Sequence, residues 1–173
     1  MTRHGDVPQG TPRERRAGSR AQSERVIDTY KLRKKLPEPT RCPDCGAVYE
    51  AGRWRWTEIA PALTHEERCP ACHRIADDYP AGIVTLKGAM VGAHRDEILG
   101  IARNAEAAEK GERPLNRIMS IAEPDTETVV ITTTDIHLPR RIGETVDRAL
   151  NGELHIHYDA ENYFIRVEWQ RDA

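Results

Sequence analysis

The stretch CPDCGAVYEAGRWRW at residues 42–56 and the stretch CPACHRI at residues 69–75 decide how the first half of this chain folds. Each stretch begins with a Cys-x-x-Cys pair, and 23 residues separate the two pairs. Such a pair directs two thiolates from one tight turn, and four thiolates are a donor set that Zn²⁺ favours in closed tetrahedral sites. Gly46 suits the first turn, because backbone amides must point towards the sulfurs there. The spacing therefore predicts a zinc ribbon over residues 42–78.

The predicted ribbon binds one Zn²⁺ per chain, and its ligands are Cys42, Cys45, Cys69 and Cys72. Iron is the alternative metal, because Cys-Pro-x-Cys turns also bind a single iron ion in rubredoxins. The second turn departs from that pattern, since His73 stands where glycine usually follows, and this favours zinc. A closed site of four thiolates leaves no open coordination position, which indicates a structural metal.

Between the cysteine pairs, the run Arg53-Trp54-Arg55-Trp56 has the alternation of a β-strand. The two tryptophans are expected to share one face and to pack the ribbon. The two arginines are expected to share the other face, where they can contact a phosphate backbone. The segment is therefore predicted to be part of a hairpin with a basic outer face.

Upstream of the first cysteine pair the chain is basic and poor in apolar residues. Residues 1–22 are rich in Gly, Pro, Arg and polar side chains, so a disordered basic tail is predicted. Residues 23–41 form either a basic linker or a short helix. Val26, Ile27 and Tyr30 have helical spacing there, and two prolines end any helix that forms.

Residues 79–173 contain no cysteine and have a different pattern. The predicted order is strand, helix, strand, strand, helix, strand, strand, at residues 83–90, 94–110, 115–122, 128–134, 138–149, 154–158 and 163–169. This order is the split βαβ pattern with one added strand. The sequence thus predicts an α+β protein, in which the zinc ribbon precedes a ferredoxin-like antiparallel sheet with two helices on one face.

Three local signals mark where these elements begin and end. Glu123-Pro124-Asp125 is predicted to form the turn between the second and third strands. Thr134 or Asp135 can cap the second helix at its N-terminus. Gly152 is expected to end that helix in the left-handed conformation.

The charge is unevenly distributed along the chain. Residues 1–41 contain 11 Lys and Arg against 5 Asp and Glu, whereas residues 42–173 contain 15 against 23. A basic arm on an acidic body predicts association with RNA through the phosphate backbone. Arg140 and Arg141 join the arm as candidates because the first turn of a helix has free N–H groups that suit an anion. The candidate nucleic-acid-binding residues are Lys31, Arg33, Lys34, Lys35, Arg41, Arg53, Arg55, Arg140 and Arg141.

Several classes of protein do not fit the sequence. No apolar run approaches the roughly 18 residues of a membrane-spanning helix, and the first ten residues, MTRHGDVPQG, lack an apolar signal region. A soluble cytoplasmic protein is therefore expected. No Gly-rich phosphate loop, nucleophile elbow or His-Glu-x-x-His motif is present, so the sequence predicts a protein that is not an enzyme.

The cysteine pairs together with RNAEAAEKGERPLNRIMSI at residues 103–121 and TTTDIHLPRRIGETVDRALNGEL at residues 132–154 resemble a small bacterial zinc-ribbon family. That family is similar to the N-terminal part of the archaeal and eukaryotic adaptor for nuclear export of the large ribosomal subunit. The resemblance covers roughly residues 25–171, but the adaptor has more cysteines in that region. It implies association with a ribosomal subunit. A protein–protein adaptor working through the acidic C-terminal domain, or a rubredoxin-like electron carrier, remains the alternative.

Overall fold

The computed structural model describes residues 28–31 and 34–173. It has a mixed α+β fold with two sheets and four α-helices, which confirms the predicted class. The predicted disordered tail at residues 1–22, the start of the linker or helix at residues 23–41, and Arg33 lie outside the described residues. Within the described part of the chain, no helix combines the length and the apolarity needed to cross a bilayer.

The first sheet is built around the cysteine pairs. Its strands are β1 Thr40–Arg41, β2 Val48–Glu50, β3 Arg53–Arg55 and β4 His65–Glu66. Their order is β3-β2-β1-β4, in which β1 and β4 are parallel and the other neighbours are antiparallel. Helix α1, Pro70–Asp77, comes after this sheet in the chain. Residues 40–78 are called the cysteine module below.

The hairpin of β2 and β3 turns at Ala51 and Gly52, whose φ angles are 51° and 76°. Two positive φ angles are typical of a type I′ turn, which matches the twist of two antiparallel strands. The Glu38 carboxylate accepts hydrogen bonds from the amides of Ala51 and Gly52, each at 3.1 Å. A residue upstream of the first cysteine thus helps to hold the hairpin that was predicted between the cysteine pairs.

The second sheet occupies residues 79–173, which are called the sheet domain below. Its strands are β5 Gly82–Lys87, β6 Ile118–Asp125, β7 Thr128–Thr133, β8 Glu153–Tyr158 and β9 Ile165–Gln170. Its helices are α2 Ala89–Ala93, α3 Arg95–Glu112 and α4 Leu138–Leu150. The strand order is β6-β7-β5-β9-β8. Helix α3 connects β5 to β6, which lie parallel with β7 between them.

The prediction of an antiparallel sheet with two helices is wrong in two respects. Strands β5 and β9 are parallel neighbours, so the sheet is mixed. The reason lies in burial, because Ile165, Val167 and Trp169 of β9 are almost completely buried and suit a central position. Strand β8 exposes every second residue and takes the edge. In addition, the end of the predicted first strand forms the short helix α2.

The core of the sheet domain lies on one face of the second sheet. Helices α3 and α4 cover this face with Ile98, Ala102, Ile142 and Val146, each fully buried. Gly143 of α4 is also buried, and a Cβ at this position would lie 2.4 Å from Val167 Cγ1. Helix α4 therefore approaches β9 too closely for any side chain at residue 143.

The ends of the elements differ in part from the prediction. Asp135 accepts hydrogen bonds from the amides of His137 and Leu138 at 2.7 and 3.0 Å, and thus serves the start of α4 as expected. The turn between β6 and β7 lies at residues 126–127, two residues later than expected. The left-handed residue after α4 is Asn151, with φ 50°, while Gly152 makes room for the indole of Trp169.

Replacing Gly143 by Ala should lower the free energy of unfolding by about 1–3 kcal/mol, because the new methyl group overpacks the contact between α4 and β9. Gly100 of α3 is the matched control. A Cβ there meets nothing within 4 Å, so Gly100→Ala should stabilise the helix by up to about 1 kcal/mol. Urea unfolding of both variants measures the difference, and equal midpoints would contradict the packing of α4 on β9.

Candidate metal centre

The four cysteines of the chain lie in one cluster. Their sulfur atoms are all within 4.8 Å of one another, and Cys45 Sγ lies 3.8 Å from Cys69 Sγ. Two sulfurs bound to one tetrahedral Zn²⁺ at about 2.3 Å are themselves about 3.8 Å apart. Cys42 and Cys69 have no exposed surface. The donor set and its spacing therefore fit a metal ion bound by four thiolates.

The first pair is held by the turn between β1 and β2. The amide of Gly46 donates to the carbonyl oxygen of Cys42 at 2.9 Å, and the amide of Cys42 donates to the carbonyl oxygen of Ala47 at 2.8 Å. Gly46 has a φ of 81°, a conformation that costs glycine little. The backbone thus closes a turn at the first pair, in which the amide of Gly46 donates to a carbonyl oxygen rather than to a sulfur.

The second pair starts a helix, which the expected ribbon with two equivalent turns does not include. Cys69 is the N-cap of α1, and its sulfur accepts a hydrogen bond from the amide of Cys72 at 3.4 Å. Pro70 occupies the first turn, where backbone N–H groups have no partner within the helix, so the N–H that proline lacks is not needed there. The amide of Cys69 donates to Cys42 Sγ at 3.3 Å. The positive end of the helix dipole therefore faces the thiolates and stabilises their charge.

Arg117, at the start of β6, is the residue of this centre that sequence reasoning missed. Its guanidinium donates to Cys45 Sγ at 3.1 Å and to Cys69 Sγ and Cys72 Sγ at 3.4 Å. Its Nε donates to the carbonyl oxygen of Pro114 at 2.6 Å, and the side chain is 7% exposed. No motif marks this arginine, since it is 45 residues from the last cysteine. It brings a buried positive charge from the sheet domain to the sulfur cluster.

The hydrogen bond between Cys45 and Cys69 separates the pKa values of the two thiols. It lowers the pKa of Cys45 to about 4 and raises the pKa of Cys69, because one sulfur carries the charge and the other the proton. Burial lowers the pKa of Arg117, but its hydrogen bond to Cys72 and the charges of the other two sulfurs outweigh burial, so this pKa is raised overall. Arg117 is therefore a permanent cation beside the cluster.

The structure describes eight of the nine predicted nucleic-acid-binding residues, all except Arg33, and places them in different surroundings. Four of them, Lys31, Lys34, Arg53 and Arg55, line one cleft of about 1010 Å³ between the cysteine module and the sheet domain. Two others form ion pairs on the surface of α4, where Arg140 lies 2.7 Å from Glu144 and Arg141 lies 2.9 Å from Glu109. Lys35 is exposed and Arg41 is half-buried in β1, and neither lines the cleft.

The two tryptophans of the predicted hairpin lie in different surroundings. Trp54 packs against the cysteine cluster and contacts Tyr49 edge to face, with 5.7 Å between the ring centroids. Trp56 lies beyond β3, is 39% exposed, and donates its indole N–H to the carbonyl oxygen of Lys110 at 2.7 Å. Trp54 thus belongs to the cysteine module, whereas Trp56 contacts the C-terminal end of α3 in the sheet domain.

Comparisons of the chain with protein-family models, with curated proteins and with solved structures found no match. The resemblance to the bacterial zinc-ribbon family and to the export adaptor therefore stays a prediction. What the four cysteines, Arg117 and the cleft can do has to be argued from their own chemistry.

We expect the purified chain to contain one Zn²⁺, and we expect Cys45→Ser to abolish metal binding and unfold the cysteine module. Structural zinc contributes on the order of 10 kcal/mol to small domains, so the module should not survive the loss of one ligand. Elemental analysis and circular dichroism measure the two effects. His65→Ser is the control, because His65 is exposed in β4 and lies outside the sulfur cluster. One iron per chain, or metal retained by Cys45→Ser, would contradict this assignment.

Arg117→Met should weaken zinc binding by about 10- to 100-fold, the range typical of residues that hydrogen-bond to metal ligands. The substitution keeps an unbranched aliphatic stem but removes the guanidinium, its hydrogen bonds to three sulfurs and the buried charge. Arg113→Met is the matched control, because Arg113 is exposed and its only ion pair among the described residues is a long one, with 3.6 Å between its guanidinium and the Glu109 carboxylate. Competition with a chromogenic chelator measures both affinities, and equal values would remove Arg117 from the metal centre.

Proposed function

We propose that this chain is a non-enzymatic zinc-binding protein that associates with RNA, and that the ribosome is its partner. One observation carries the proposal. Four cationic side chains that the sequence marks as candidates meet in a single cleft beside the cysteine cluster. Under this proposal the cysteine module is a zinc ribbon whose second pair starts a helix, and the sheet domain is a ferredoxin-like platform with an inserted strand.

The role assigned to zinc is structural. Four thiolates complete a tetrahedral shell and leave no position for substrate or water. When bound, the ion supplies a rigid crosslink between the turn of the first pair and the N-terminus of α1. Arg117 offsets part of the negative charge of four thiolates around one divalent ion, since it is a buried cation that hydrogen-bonds three of them.

The role assigned to the basic residues is electrostatic. Residues 42–173 are acidic as a whole, so a polyanion would be repelled from most of the body. The basic arm and the arginines of β3 form the exception, and two lysines of the arm, Lys31 and Lys34, share the cleft with Arg53 and Arg55. RNA is a common polyanion that such a surface binds with low sequence specificity. The family resemblance is what directs the proposal to the ribosome.

Replacing Lys31, Arg33, Lys34 and Lys35 by Ala should flatten the slope of log affinity against log salt by up to about three units. Each phosphate contact on a single strand contributes about 0.7 to this slope. The matched control replaces Lys87, Arg103, Arg148 and Arg166, four exposed cations of the sheet domain that lie outside the cleft. Fluorescence anisotropy with a labelled RNA at several salt concentrations measures both slopes.

A protein–protein adaptor that works through the acidic sheet domain predicts the opposite result. Neither quadruple variant would then change a salt slope, and the wild-type chain would not bind RNA. Sedimentation of a cell lysate on a sucrose gradient adds the second test. The proposal expects the protein to migrate with a ribosomal subunit at low salt and to leave it as salt rises, whereas migration only with free protein would overturn the ribosomal part.

A further inference from the structure

The cleft between the cysteine module and the sheet domain concentrates the unsatisfied polar atoms of the protein. Three buried side-chain atoms in residues 28–31 and 34–173 lack a hydrogen-bond partner, and they are Arg55 Nε, Arg74 Nε and Asp135 Oδ1. All three residues line the cleft. A buried polar atom without a partner is unfavourable. A ligand in the cleft that accepts from these arginines and donates to this carboxylate would satisfy them after a small side-chain movement, because each of the three atoms has almost no exposed surface in the free protein.

The cleft also contains four cations that form no ion pair among the described residues. Arg53 and Arg55 have no carboxylate within 4.0 Å among the described residues, and neither do Lys31 and Lys34. Arg140 and Arg141 differ, since each already pairs with a glutamate. Two of the acidic residues in the lining are also engaged: Asp28 pairs with Arg74, and Asp135 accepts from two backbone amides. Arg53, Arg55, Lys31 and Lys34 are thus available to an anion, as are exposed cations elsewhere in the described residues such as Arg103 and Arg148.

The walls of the cleft carry aromatic rings as well as cations. Tyr49 and Trp54 come from the hairpin of the cysteine module, and Tyr163 comes from the sheet domain. Strand β3 is at the edge of its sheet, so a ligand in the cleft can meet residues from both of its faces. Unpaired bases stack on aromatic rings and on arginine planes, whereas the bases of a duplex are already stacked on each other. This combination favours a single strand over a duplex.

Two buried contacts hold the walls of the cleft in place. Arg117 attaches the sulfur cluster to the start of β6. Arg74 of α1, which is 2% exposed, donates to Asp28 at 2.6 Å, and its guanidinium lies 4.4 Å from the ring centroid of Tyr30. The second contact fixes residues 28–31 against the cysteine module and brings Lys31 to the mouth of the cleft. The cleft is therefore preorganised before a ligand arrives.

We propose that this cleft binds a single-stranded segment of RNA, with phosphates at Arg53, Arg55, Lys31 and Lys34 and with a base against the ring of Trp54. Asp135 Oδ1 then accepts from a ribose hydroxyl or a base amino group, which are the donors that a bare phosphate lacks. The inference rests on the proposed function and names the site at which it is carried out. It also makes RNA affinity depend on zinc, although no RNA atom contacts the metal.

The test measures anisotropy of a labelled single-stranded 12-nucleotide RNA with the full zinc-loaded chain. Arg53→Ala/Arg55→Ala should weaken binding about tenfold or more and flatten the salt slope by about 1.4 units, since two phosphate contacts are lost. Arg103→Ala/Arg148→Ala, which removes two exposed arginines from α3 and α4, should stay within about twofold of wild type. Arg53→Ala alone, at an exposed position, keeps the test valid if the double variant loses metal.

Two further measurements locate the site and identify its occupant. Ultraviolet cross-linking followed by mass spectrometry should place nucleotide adducts within residues 49–55. A duplex RNA of equal length and an acidic peptide of equal charge should both bind more weakly than the single strand.

The cleft assignment would be wrong if the wild-type chain binds RNA and the cleft variants bind it equally well, or if the adducts are confined to α4. The proposed function would stand in both cases. An acidic peptide that binds as tightly as RNA would replace RNA by a protein partner. Failure of the wild-type chain to bind any RNA would remove the proposed function and the cleft assignment together.

Discussion

The guanidinium of Arg117 against the sulfurs of Cys45, Cys69 and Cys72 is the contact on which the arrangement of the two sheets depends. A buried arginine is stable only where anions offset the cost of removing it from water. The thiolates meet this need, and Arg117 in turn stabilises their negative charge. The cysteine module and the sheet domain have separate apolar cores, so this polar contact joins two units that hydrophobic packing alone leaves largely independent.

Leu115 and Trp56 also connect the cysteine module to the sheet domain. Leu115 packs against the cysteine cluster from the sheet domain, and Trp56 reaches from the cysteine module to the backbone of α3. Both contacts are small, because the cysteine module has few apolar residues to share. Metal binding and the position of the sheet domain are thus coupled through Arg117, these two side chains and Arg74 of α1, which donates to the carbonyl oxygen of Tyr79 at 3.1 Å. Loss of the metal would leave Arg117 among fewer thiolates and weaken the junction as a whole.

The cations of the protein differ in whether a carboxylate neutralises them. Most exposed arginines of the sheet domain that form ion pairs do so with nearby glutamates, as Arg140 does with Glu144 one helical turn away. Pairs of this kind contribute little to stability at an exposed surface, but they neutralise the cation. In the cleft, Arg53 and Arg55 of β3 stand beside Lys31 and Lys34 without such a pair among the described residues, whereas Arg74 and Arg113 of the same lining are paired. Under the proposed function, the acidic body would direct a polyanion towards this cleft.

The sequence by itself determined the features that depend on local periodicity. The spacing of Cys42, Cys45, Cys69 and Cys72 indicates a four-thiolate cluster, because a Cys-x-x-Cys turn brings two sulfurs together in any context. Alternation and helical spacing likewise indicate the strands and the long helices of residues 79–173, since they report the side of an element that is buried. Strand alternation pointed to Arg53 and Arg55, and the first turn of a helix pointed to Arg140 and Arg141, but neither pattern shows which of these arginines pairs with a glutamate.

Only the tertiary structure decided how these elements meet. Strand β9 lies parallel to β5 because β9 is more buried than β8 and takes the more central position. The alternation of a single strand shows which of its faces is buried, but it does not show which of two strands is the more buried. Arg117 and Arg74 were invisible for a related reason: each is separated by 45 or more residues from the side chain that neutralises it. The fold of the whole chain determines which charged groups lie close together, because electrostatic pairing depends on distance in space and on burial.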